Sequence, residues 1–463
     1  MAFDIPADLI VSVSGVRGRV GEALTPEIVT RFVAAFGAFL HERAGGRPRV
    51  VLARDSRTSG PMFARAATAA LQSVGCEIID AGLVPTPTAL LAVEHHQADG
   101  GIVVTASHNP VEWNALKFAS HTGMFLDADE GARMRAYLAD RPIPWAAWNE
   151  LGEVVPDPDA VRRHIEAVTR IPYLDIEGLR RRRFKVALDC IRGAGAVLLP
   201  PLLETLGCEV VAINLEPDGR FHRPPEPVAE NLRDLERLVC ESGADVGFAT
   251  DPDADRLSIV GNGGRAIGED FTLALATQLV LRHAPGPVVT NFSTSRVVED
   301  VAAEAGVPFV RAPVGEINVA RAMQAAGATI GGEGNGGVIL PAVHLTRDAA
   351  VGAALVLQLL LETGQPIDAL VARQRPYTIV KDKLPRDAGP IEATYQVLEQ
   401  ELDASVVDRR DGLWLAWPEK GTWLHLRPSG TEPILRIIAE APSQAEALRL
   451  VQLTREALLR PRG

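Results

Sequence analysis

Short runs of apolar and β-branched residues alternate with longer helix-like stretches through most of the chain. Near its start, strand-like runs at Arg49–Ala53, Cys76–Ile79 and Gly101–Thr105 are separated by helical patterns at Met62–Val74 and after Pro87. Strands that alternate with helices in this way are typical of βα units. The pattern therefore predicts an α/β fold built on mostly parallel sheets.

The same rhythm restarts twice further along the chain. The second block has the pattern strand, helix, strand at Lys185–Ile191, Ala196–Leu206 and Cys208–Leu215. The third block has the same pattern at Pro287–Asn291, Ser295–Ala305 and Pro308–Arg311. Proline-rich joints at 141–145 and 156–158 precede the second block. We therefore predict three separate α/β domains.

The C-terminal part has a different pattern. It reads as four strands and a closing helix, at Tyr377–Leu384, Ala404–Val407, Leu413–Trp417, Thr422–Leu426 and Pro442–Leu459. This order indicates an α+β module rather than another βαβ unit. For the 463 residues we predict four domains, at 1–152, 153–258, 259–372 and 373–463.

Composition and charge narrow the function. The chain is 47% hydrophobic and 23% charged, with a formal net charge of −12. A nucleic-acid binder needs a basic footprint, so we expect no nucleic-acid partner. No apolar run reaches the ~18 residues of a membrane span, and the first residues lack a signal-peptide pattern. We therefore expect a cytoplasmic protein without a membrane partner, in which any anionic substrate binds to locally gathered cations.

The first candidate site is Thr105-Ala-Ser-His-Asn-Pro110, directly after a strand-like run. In α/β sheets the carboxyl end of a strand is the usual place for ligand chemistry. Ser107 there is a candidate covalent nucleophile or phosphoryl carrier. The glycines of a hydrolase nucleophile elbow are absent, which disfavours acyl chemistry. Alone, the segment fits a Ser/Asn/Pro turn equally well.

The second candidate site is Asp251-Pro-Asp-Ala-Asp-Arg256. Its three alternate carboxylates can converge on one hard cation, and without a cation they would repel one another. An EF-hand is excluded, because Arg256 and Asn262 occupy the positions of its glycine and glutamate. A solvated acidic turn is the alternative. We predict a metal site, with magnesium as the ion that accompanies phosphates.

The third candidate is the glycine-rich stretch 331–337, which contains Glu333 and Asn335. Glycines let a backbone approach a ligand closely, and these two polar side chains suit sugar hydroxyls. It is not a Walker loop, because no Gly-Lys-Ser/Thr follows. Alone, the stretch is read more simply as a loop between strands.

The fourth candidate is Arg427-Pro-Ser-Gly-Thr-Glu-Pro433, with Arg436 shortly after it. An arginine, two hydroxyls and amides around a glycine are typical of an anion-binding nest, and arginine adds bidentate recognition of phosphate. A hairpin turn with an incidental arginine is the alternative. Two further cationic segments, at 14–18 and 54–57, lie in predicted strand-to-helix loops of the first domain, and Lys117, ten residues after Ser107, could reach the same cleft. Alone, each of these charges is more often a surface charge than a catalyst.

In this order the four motifs resemble those of the α-D-phosphohexomutase family, which contains phosphoglucomutases, phosphomannomutases and phosphoglucosamine mutases. The resemblance spans essentially the whole chain. It implies three related α/β domains, a C-terminal domain of TATA-binding-protein-like fold and a deep central cleft. The implied activity is exchange of hexose 6-phosphate and 1-phosphate, with one Mg²⁺ per chain and a hexose 1,6-bisphosphate as intermediate and activator.

The resemblance also implies residue roles. Ser107 matches the phosphoserine, which completes the magnesium site of Asp251, Asp253 and Asp255. Around the transferring phosphoryl group it places Arg17, His108, Lys117 and Arg256, with Lys117 and Arg17 as acid/base candidates. It assigns the ring hydroxyls to Glu333 and the non-reacting phosphate to Arg427, Ser429, Gly430 and Thr431. From their own chemistry, Asn335 and Arg436 are further substrate-binding candidates.

Three positions depart from common family patterns. Val13 stands where many members have threonine, Asn335 where serine is common, and Glu316 where some glucose/mannose enzymes have histidine. None belongs to the nucleophile or metal loop, so the departures concern the choice of sugar. The sequence of the fourth motif favours glucosamine phosphate as the substrate, with glucose or mannose phosphate as the alternative.

Two other classes stay open at this point. A Mg²⁺-dependent sugar phosphatase could use the Asp251 loop, although its DxDx[TV] nucleophile pattern is absent. A non-catalytic sugar-phosphate sensor could retain the fold, although every position with a chemical role is present.

Overall fold

The computed structural model describes residues 5–139, 141–430 and 433–460. Its first sheet has seven strands: β1 (Ile10–Val11), β2 (Gly15–Arg19), β3 (Arg49–Arg54), β4 (Glu77–Leu83), β5 (Gly100–Val104), β6 (Trp113–Ser120) and β7 (Val154–Pro156). Their order is β1-β2-β6-β5-β3-β4-β7. Four helices accompany them: α1 (Pro26–His41), α2 (Gly60–Ser73), α3 (Thr86–His95) and α4 (Ala128–Ala139).

Two helices, α5 (Ala160–Thr169) and α6 (Ile176–Arg182), precede a second sheet. That sheet contains β8 (Lys185–Asp189), β9 (Glu209–Ile213), β10 (Val246–Thr250) and β11 (Leu257–Val260), in the order β11-β10-β8-β9. Its helices are α7 (Leu199–Thr205) and α8 (Arg233–Ser242). The predicted helix Ala196–Leu206 is split into a 3₁₀ turn at Ala194–Val197 and α7. Two prolines fall in the first turn of α7, where a missing N–H is tolerated.

The third sheet contains β12 (Val288–Asn291), β13 (Phe309–Ala312), β14 (Ile330–Glu333) and β15 (Gly337–Ile339), in the order β13-β12-β14-β15. Its helices are α9 (Asp270–His283), α10 (Arg296–Glu304), α11 (Glu316–Ala326), α12 (Ala349–Thr363) and α13 (Ile367–Ala372). Nearly every side chain of α12 is buried, and one continuous core joins the second and third units.

The first three units repeat one arrangement. In each, three parallel strands are followed at one edge by an antiparallel strand, in the orders β4-β3-β5-β6, β9-β8-β10-β11 and β13-β12-β14-β15. The sheets are therefore mixed rather than purely parallel. The repeat agrees with three related α/β domains.

The C-terminal sheet is antiparallel throughout. Its strands are β16 (Thr378–Pro385), β17 (Val406–Asp408), β18 (Leu413–Trp417), β19 (Thr422–Pro428) and β20 (Ile434–Ala441), in the order β16-β20-β19-β18-β17, with helices α14 (Ile391–Leu402) and α15 (Gln444–Leu459). The predicted strands and closing helix are present. Strand β20 and helix α14 were not predicted.

Two predicted domain divisions fall close to strands. Strand β7 begins just after residue 152 and pairs with β4 of the first sheet. The division after residue 258 falls inside β11, which pairs with β10. We place these two divisions after β7 and after β11. In the described part of the chain, no helix combines the length and apolarity needed to cross a lipid bilayer.

Candidate active site

Three of the four motifs occupy the same place in the repeated unit. The Ser107 loop joins β5 to β6, the Asp251 loop joins β10 to β11, and the glycine-rich loop joins β14 to β15. Each loop therefore leaves the carboxyl end of a parallel strand, where α/β sheets place ligand chemistry. The fold brings the three loops together.

The Ser107 loop is held by Arg57, a buried arginine of the cationic segment 54–57 that had no specific role in the sequence analysis. The guanidinium of Arg57 is fully buried and donates to the carbonyl oxygens of Ser107, Asn109, Pro110 and Trp113 at 2.5–3.0 Å. Four carbonyls converging on one planar cation fix the path of the loop.

Asp55 completes this support from the other side. Its carboxylate pairs with the Arg57 Nε at 3.1 Å and accepts from the Thr105 hydroxyl at 2.6 Å. The Thr105 oxygen in turn accepts from the Ser107 N–H at 2.9 Å. Ser107 has a φ of 47°, in the left-handed region that side chains seldom occupy. The surrounding hydrogen bonds hold the residue in this conformation.

The Ser107 hydroxyl faces the second motif across the domain boundary. Its Oγ donates to Asp251 Oδ2 at 2.9 Å and lies 3.3 Å from His108 Nδ1. Arg17 on β2 donates to Asn109 in the same loop at 3.1 Å. Burial, together with Arg256 and Arg17, lowers the pKa of His108 well below its ordinary value. The imidazole is therefore neutral near pH 7, which leaves the arginines as the fixed positive charges on this side.

The three carboxylates of Asp251, Asp253 and Asp255 are fully buried and offer oxygens within 4.8 Å of one another. Lys117 Nζ lies 2.8 Å from Asp253 Oδ2 and 3.8 Å from Asp255 Oδ2. Within the described residues, Asp253 Oδ1 and Asp255 Oδ1 accept no hydrogen bond. Buried carboxylate oxygens without donors are costly unless a cation binds them, so this cluster fits a hard divalent ion.

The charges of the cluster are strongly perturbed. Burial and the neighbouring carboxylates raise the pKa of Asp251 well above its ordinary value. Burial opposes the charge of Lys117, but Asp253 and Asp255 raise its pKa, so the amine stays protonated. Arg256 adds a guanidinium whose Nε lies 3.7 Å from Asp255 and 4.0 Å from Asp251. The site therefore combines concentrated negative charge with cations able to neutralise a phosphoryl group.

Arg347 links the Asp251 loop to the glycine-rich loop, and no motif in the sequence pointed to it. Its buried guanidinium donates to Asp255 Oδ2 and to Glu333 Oε2, each at 2.6 Å, and lies 3.2 Å from Glu316. These three carboxylates raise its pKa, although burial opposes the charge. Arg347 is thus a permanent cation shared by two functional loops.

In the glycine-rich loop, Glu333 is buried and extensively hydrogen-bonded. Its Oε1 accepts from Asn291 Nδ2 at 2.7 Å and from the Gly315 N–H at 3.1 Å. Burial would raise the pKa of Glu333, but Arg347 holds it below its ordinary value. Asn335 accepts from the Gly337 N–H, which orders the turn of the loop. Glu333 therefore presents an ionised acceptor at the site.

The fourth motif lies where β19 turns into β20. Arg427 and Arg436 stand directly opposite each other on these strands, and two like charges so placed repel each other unless an anion offsets them. Ser429 is buried, whereas the space around the Gly430 Cα is open. Thr431 lies outside the described residues. The two arginines and the loop backbone form a cationic patch.

Asp411 connects this cationic patch to the third domain. Its carboxylate accepts from Arg427 Nε at 3.0 Å and from the Val314 N–H at 2.8 Å. The neighbouring Gly315 donates to Glu333, which pairs with Arg347. A continuous series of contacts therefore runs from the fourth motif, through the glycine-rich loop, to the Asp251 loop and Ser107.

Comparison with known proteins identifies this arrangement. Residues 8–141, 162–264 and 268–377 match the α/β/α domains I, II and III of phosphoglucomutase/phosphomannomutase, and residues 379–457 match the C-terminal domain of that family. The chain belongs to the phosphoglucomutase/phosphomannomutase family. It is thus a phosphohexomutase, an isomerase that transfers phosphate within a sugar.

Individual relatives agree over nearly the full length. The chain is 39% identical to a phosphoglucomutase/phosphomannomutase of Thermococcus kodakarensis, over 95% of this chain and 96% of the relative. It is 37% identical to a protein of Methanopyrus kandleri named "Probable phosphoglucosamine mutase", over 94% of this chain and 95% of the relative. A crystal structure of a family member from Burkholderia thailandensis matches with a TM-score of 0.83 and 26% identity, over 96% of both chains.

A half-buried carboxyl beside the glycine-rich loop of this phosphohexomutase gives a pH prediction. Asp270 accepts from the Ser295 N–H at 2.8 Å, and burial raises its pKa from 3.8 to about 7. Between these values the unfolded carboxyl is ionised and the folded one is not. Stability therefore falls as pH rises through this window, and Asp270→Asn should remove a fall on the order of 2 kcal/mol.

The measurement is thermal unfolding of the wild type and Asp270→Asn at pH 5 and pH 8. The Tm of Asp270→Asn minus the Tm of the wild type should be larger at pH 8 than at pH 5. Asp387→Asn, at an exposed aspartate of the fourth domain, is the control and should follow the wild type. An Asp270→Asn protein with the wild-type pH dependence would contradict the assignment.

Proposed function

We propose that this phosphohexomutase interconverts hexose 6-phosphate and hexose 1-phosphate through phosphorylated Ser107, with glucosamine phosphate as its preferred substrate. The supporting observation is the placement of the Ser107 hydroxyl, 2.9 Å from Asp251, at one end of the contact series that reaches Arg427. One end of the cleft suits a phosphoryl group in transfer, and the other suits a second phosphate. A hexose 1,6-bisphosphate is the intermediate and the activator.

Asp251, Asp253 and Asp255 would hold one Mg²⁺, together with the phosphate on Ser107. The unpartnered oxygens of Asp253 and Asp255 support this donor set, because Mg²⁺ prefers oxygen ligands. When bound, the ion would neutralise charge on the phosphoryl oxygens during transfer. We infer that chelation abolishes isomer formation and that added Mg²⁺ restores it.

In the proposed transfer, a sugar hydroxyl attacks the phosphorus of phosphorylated Ser107. The new bond joins the sugar oxygen to phosphorus, and the bond between phosphorus and Ser107 Oγ breaks. Lys117, whose amine Asp253 and Asp255 keep protonated, gives a proton to the departing Oγ in this proposal, and the proton that leaves the sugar hydroxyl restores the amine. Arg17 and Arg256 stabilise the phosphoryl charge, since this chemistry depends mainly on positioning and electrostatics.

The second half of the reaction needs the bisphosphate to turn over in the cleft. Arg427, Arg436 and the backbone around Ser429 and Gly430 would hold the phosphate that is not reacting, while Glu333 and Asn335 contact ring hydroxyls. Ser107 then recovers the other phosphoryl group, so the enzyme returns to its starting state. Recognition of two equivalent phosphates explains why a cationic patch lies apart from the nucleophile.

The preference for glucosamine phosphate rests on finer features. The fourth motif reads Arg-Pro-Ser-Gly-Thr-Glu-Pro, and one of the two similar relatives carries the phosphoglucosamine mutase name. The other carries the phosphoglucomutase/phosphomannomutase name, so glucose or mannose phosphate is the alternative substrate. The cytoplasmic location stays a prediction from the sequence.

The test is phosphorus NMR of isomer formation from glucosamine, glucose and mannose 6-phosphates, with Mg²⁺ and a trace of the matching 1,6-bisphosphate. The three kcat/KM values measure how well the site discriminates in the transition state. The highest value for glucosamine phosphate would support the proposal. A higher value for glucose or mannose phosphate would overturn the proposed preference and keep the mutase mechanism. Phosphate release without isomer formation would instead indicate a phosphatase.

Asp411→Asn tests the phosphate patch. The variant keeps the shape of the side chain but loses the charge that orients Arg427, so Arg427 should meet the distal phosphate less often. Charged hydrogen bonds contribute about 1.5–3 kcal/mol, and we expect KM for the hexose phosphate to rise about 10-fold with a smaller change in kcat. Steady-state kinetics provide the measurement.

Asp382→Asn is the matched control, because Asp382 also pairs with an arginine of the fourth domain, Arg455, at 2.9 Å. That pair lies at the surface, so the control should keep the wild-type KM. An Asp411→Asn enzyme with unchanged KM would show that Asp411 is not needed to orient Arg427 for phosphate binding.

A further inference from the structure

A second cluster of metal-ligand side chains shares no residue with the proposed phosphoryl-transfer site. His164, His344 and Asp348 are all buried, and each offers a ligand atom within 4.8 Å of the others. The two Nε2 atoms lie 2.7 Å and 2.8 Å from the same oxygen, Asp348 Oδ2. The imidazole centroids are 5.9 Å apart. The three side chains thus converge on one point.

Asp348 is oriented by the helix that it caps. Its Oδ1 accepts from the backbone N–H groups of Ala350 and Val351 at the start of α12. This leaves Oδ2 directed at the two histidines. A carboxylate held through one oxygen by backbone amides is a pre-oriented ligand through the other.

Both histidines can also direct an Nε2 lone pair at a metal ion. Thr88 Oγ1 lies 2.8 Å from His164 Nδ1, and a hydroxyl can either donate to that nitrogen or accept from it. Among the described residues, His344 Nδ1 has no hydrogen-bond partner. Neither ring is therefore locked by its Nδ1 into the tautomer that carries the proton on Nε2. Both rings can move that proton to Nδ1 and free Nε2 for a metal.

We propose that His164, His344 and Asp348 form a binding site for a borderline divalent transition ion such as Zn²⁺. Two imidazoles and one carboxylate are a donor set that suits such ions, whereas the all-oxygen Asp251 cluster suits Mg²⁺. Binding needs only that the two short N···O contacts open to the spacing of ligands around one ion.

The ion would tie together three parts of the fold. His164 lies on α5, Asp348 caps α12 of the third domain, and Thr88 on α3 of the first domain supports His164. The site is structural in this proposal, because the side chains are buried and their hydrogen bonds among the described residues go to one another, to Thr88 and to the start of α12. Metal binding would then stabilise the packing of the domains that carry the active-site loops.

The experiment uses the full-length protein, stripped with a chelator and returned to buffer with saturating Mg²⁺ to fill the Asp251 cluster. Co²⁺ is the spectroscopic probe, because nitrogen ligands give it a visible absorption distinct from that of an all-oxygen site. We expect about one equivalent to bind, Zn²⁺ to displace it, and either ion to raise Tm. If the folded wild-type protein binds no Co²⁺ in the presence of saturating Mg²⁺, the proposal is wrong. The three side chains would then form only a hydrogen-bonded bridge.

Variants locate the ion. His164→Gln and Asp348→Asn should weaken Co²⁺ binding about 100-fold, and His222→Gln, at an exposed histidine, should bind as the wild type does. Asp253→Asn should retain the Co²⁺ spectrum, because it alters only the Mg²⁺ cluster. If His164→Gln and Asp348→Asn do not fold, X-ray absorption spectroscopy of the wild-type protein with Zn²⁺ bound identifies the ligands. Two imidazole nitrogens would support the site, and oxygen ligands alone would refute it.

Discussion

Replacing Ser107 by alanine is expected to lower the kcat for isomer formation by about 10⁴-fold or more, the scale of loss when a covalent nucleophile is removed. The phosphoryl group then has no carrier between the two ends of the sugar. Phosphorus NMR follows the isomer, and mass spectrometry follows transfer of phosphate from hexose 1,6-bisphosphate to the protein. Both signals should disappear together.

The alanine variant should remain folded. Alanine occupies the left-handed region at a cost similar to that of serine, and the Arg57 bonds to the loop are to backbone carbonyls, which the variant keeps. Ser73→Ala, on α2, is the control and should keep full activity. A Ser107→Ala enzyme with wild-type turnover would disprove the phosphoserine mechanism.

Replacing Arg57 by methionine should reduce both stability and activity. The change removes four bonds to loop carbonyls and leaves Asp55 buried without its charge partner. Loss of one member of a buried ion pair costs about 3–5 kcal/mol. We also expect kcat to fall about 100-fold, because the Ser107 loop would no longer be held in its reactive position.

Thermal unfolding and steady-state kinetics measure the two effects separately. Arg57→Lys should be intermediate in both, since an ammonium group lacks the planar fork that reaches several carbonyls. Arg65→Met, at an exposed arginine of α2, is the control and should change neither. An Arg57→Met protein with wild-type stability would show that the loop is fixed by other contacts.

The fold was largely predictable because its signals are local. Alternating strand and helix patterns correctly indicated three α/β blocks, since each βα unit has its own hydrophobic period. Strand β6 and strand β20 were missed, and both carry buried polar groups that interrupt the apolar pattern. Asn114 lies on β6, and Glu440 on β20 is buried against Ser295 and Trp423 of two domains.

The site was predictable where its residues form compact motifs. Ser107, the three aspartates and Glu333 stand in short segments whose chemistry is legible, and the family resemblance placed them in one cleft. Arg57 was noticed only as part of a cationic segment, without its role at the Ser107 loop, and Arg347 and Asp411 could not be found in this way. Each is an isolated charged residue whose meaning depends on partners far away in the chain, and one sequence contains no signal of those pairings.

Arg347 also has a thermodynamic consequence for the reaction. It divides its guanidinium between Asp255, in the Asp251 loop, and Glu333, in the glycine-rich loop. In the proposed function, a cation bound at Asp255 would weaken the hold of Asp255 on Arg347, and a sugar hydroxyl bound at Glu333 would weaken that of Glu333. The two ligands would then be linked, and by reciprocity each would change the affinity of the other by the same factor.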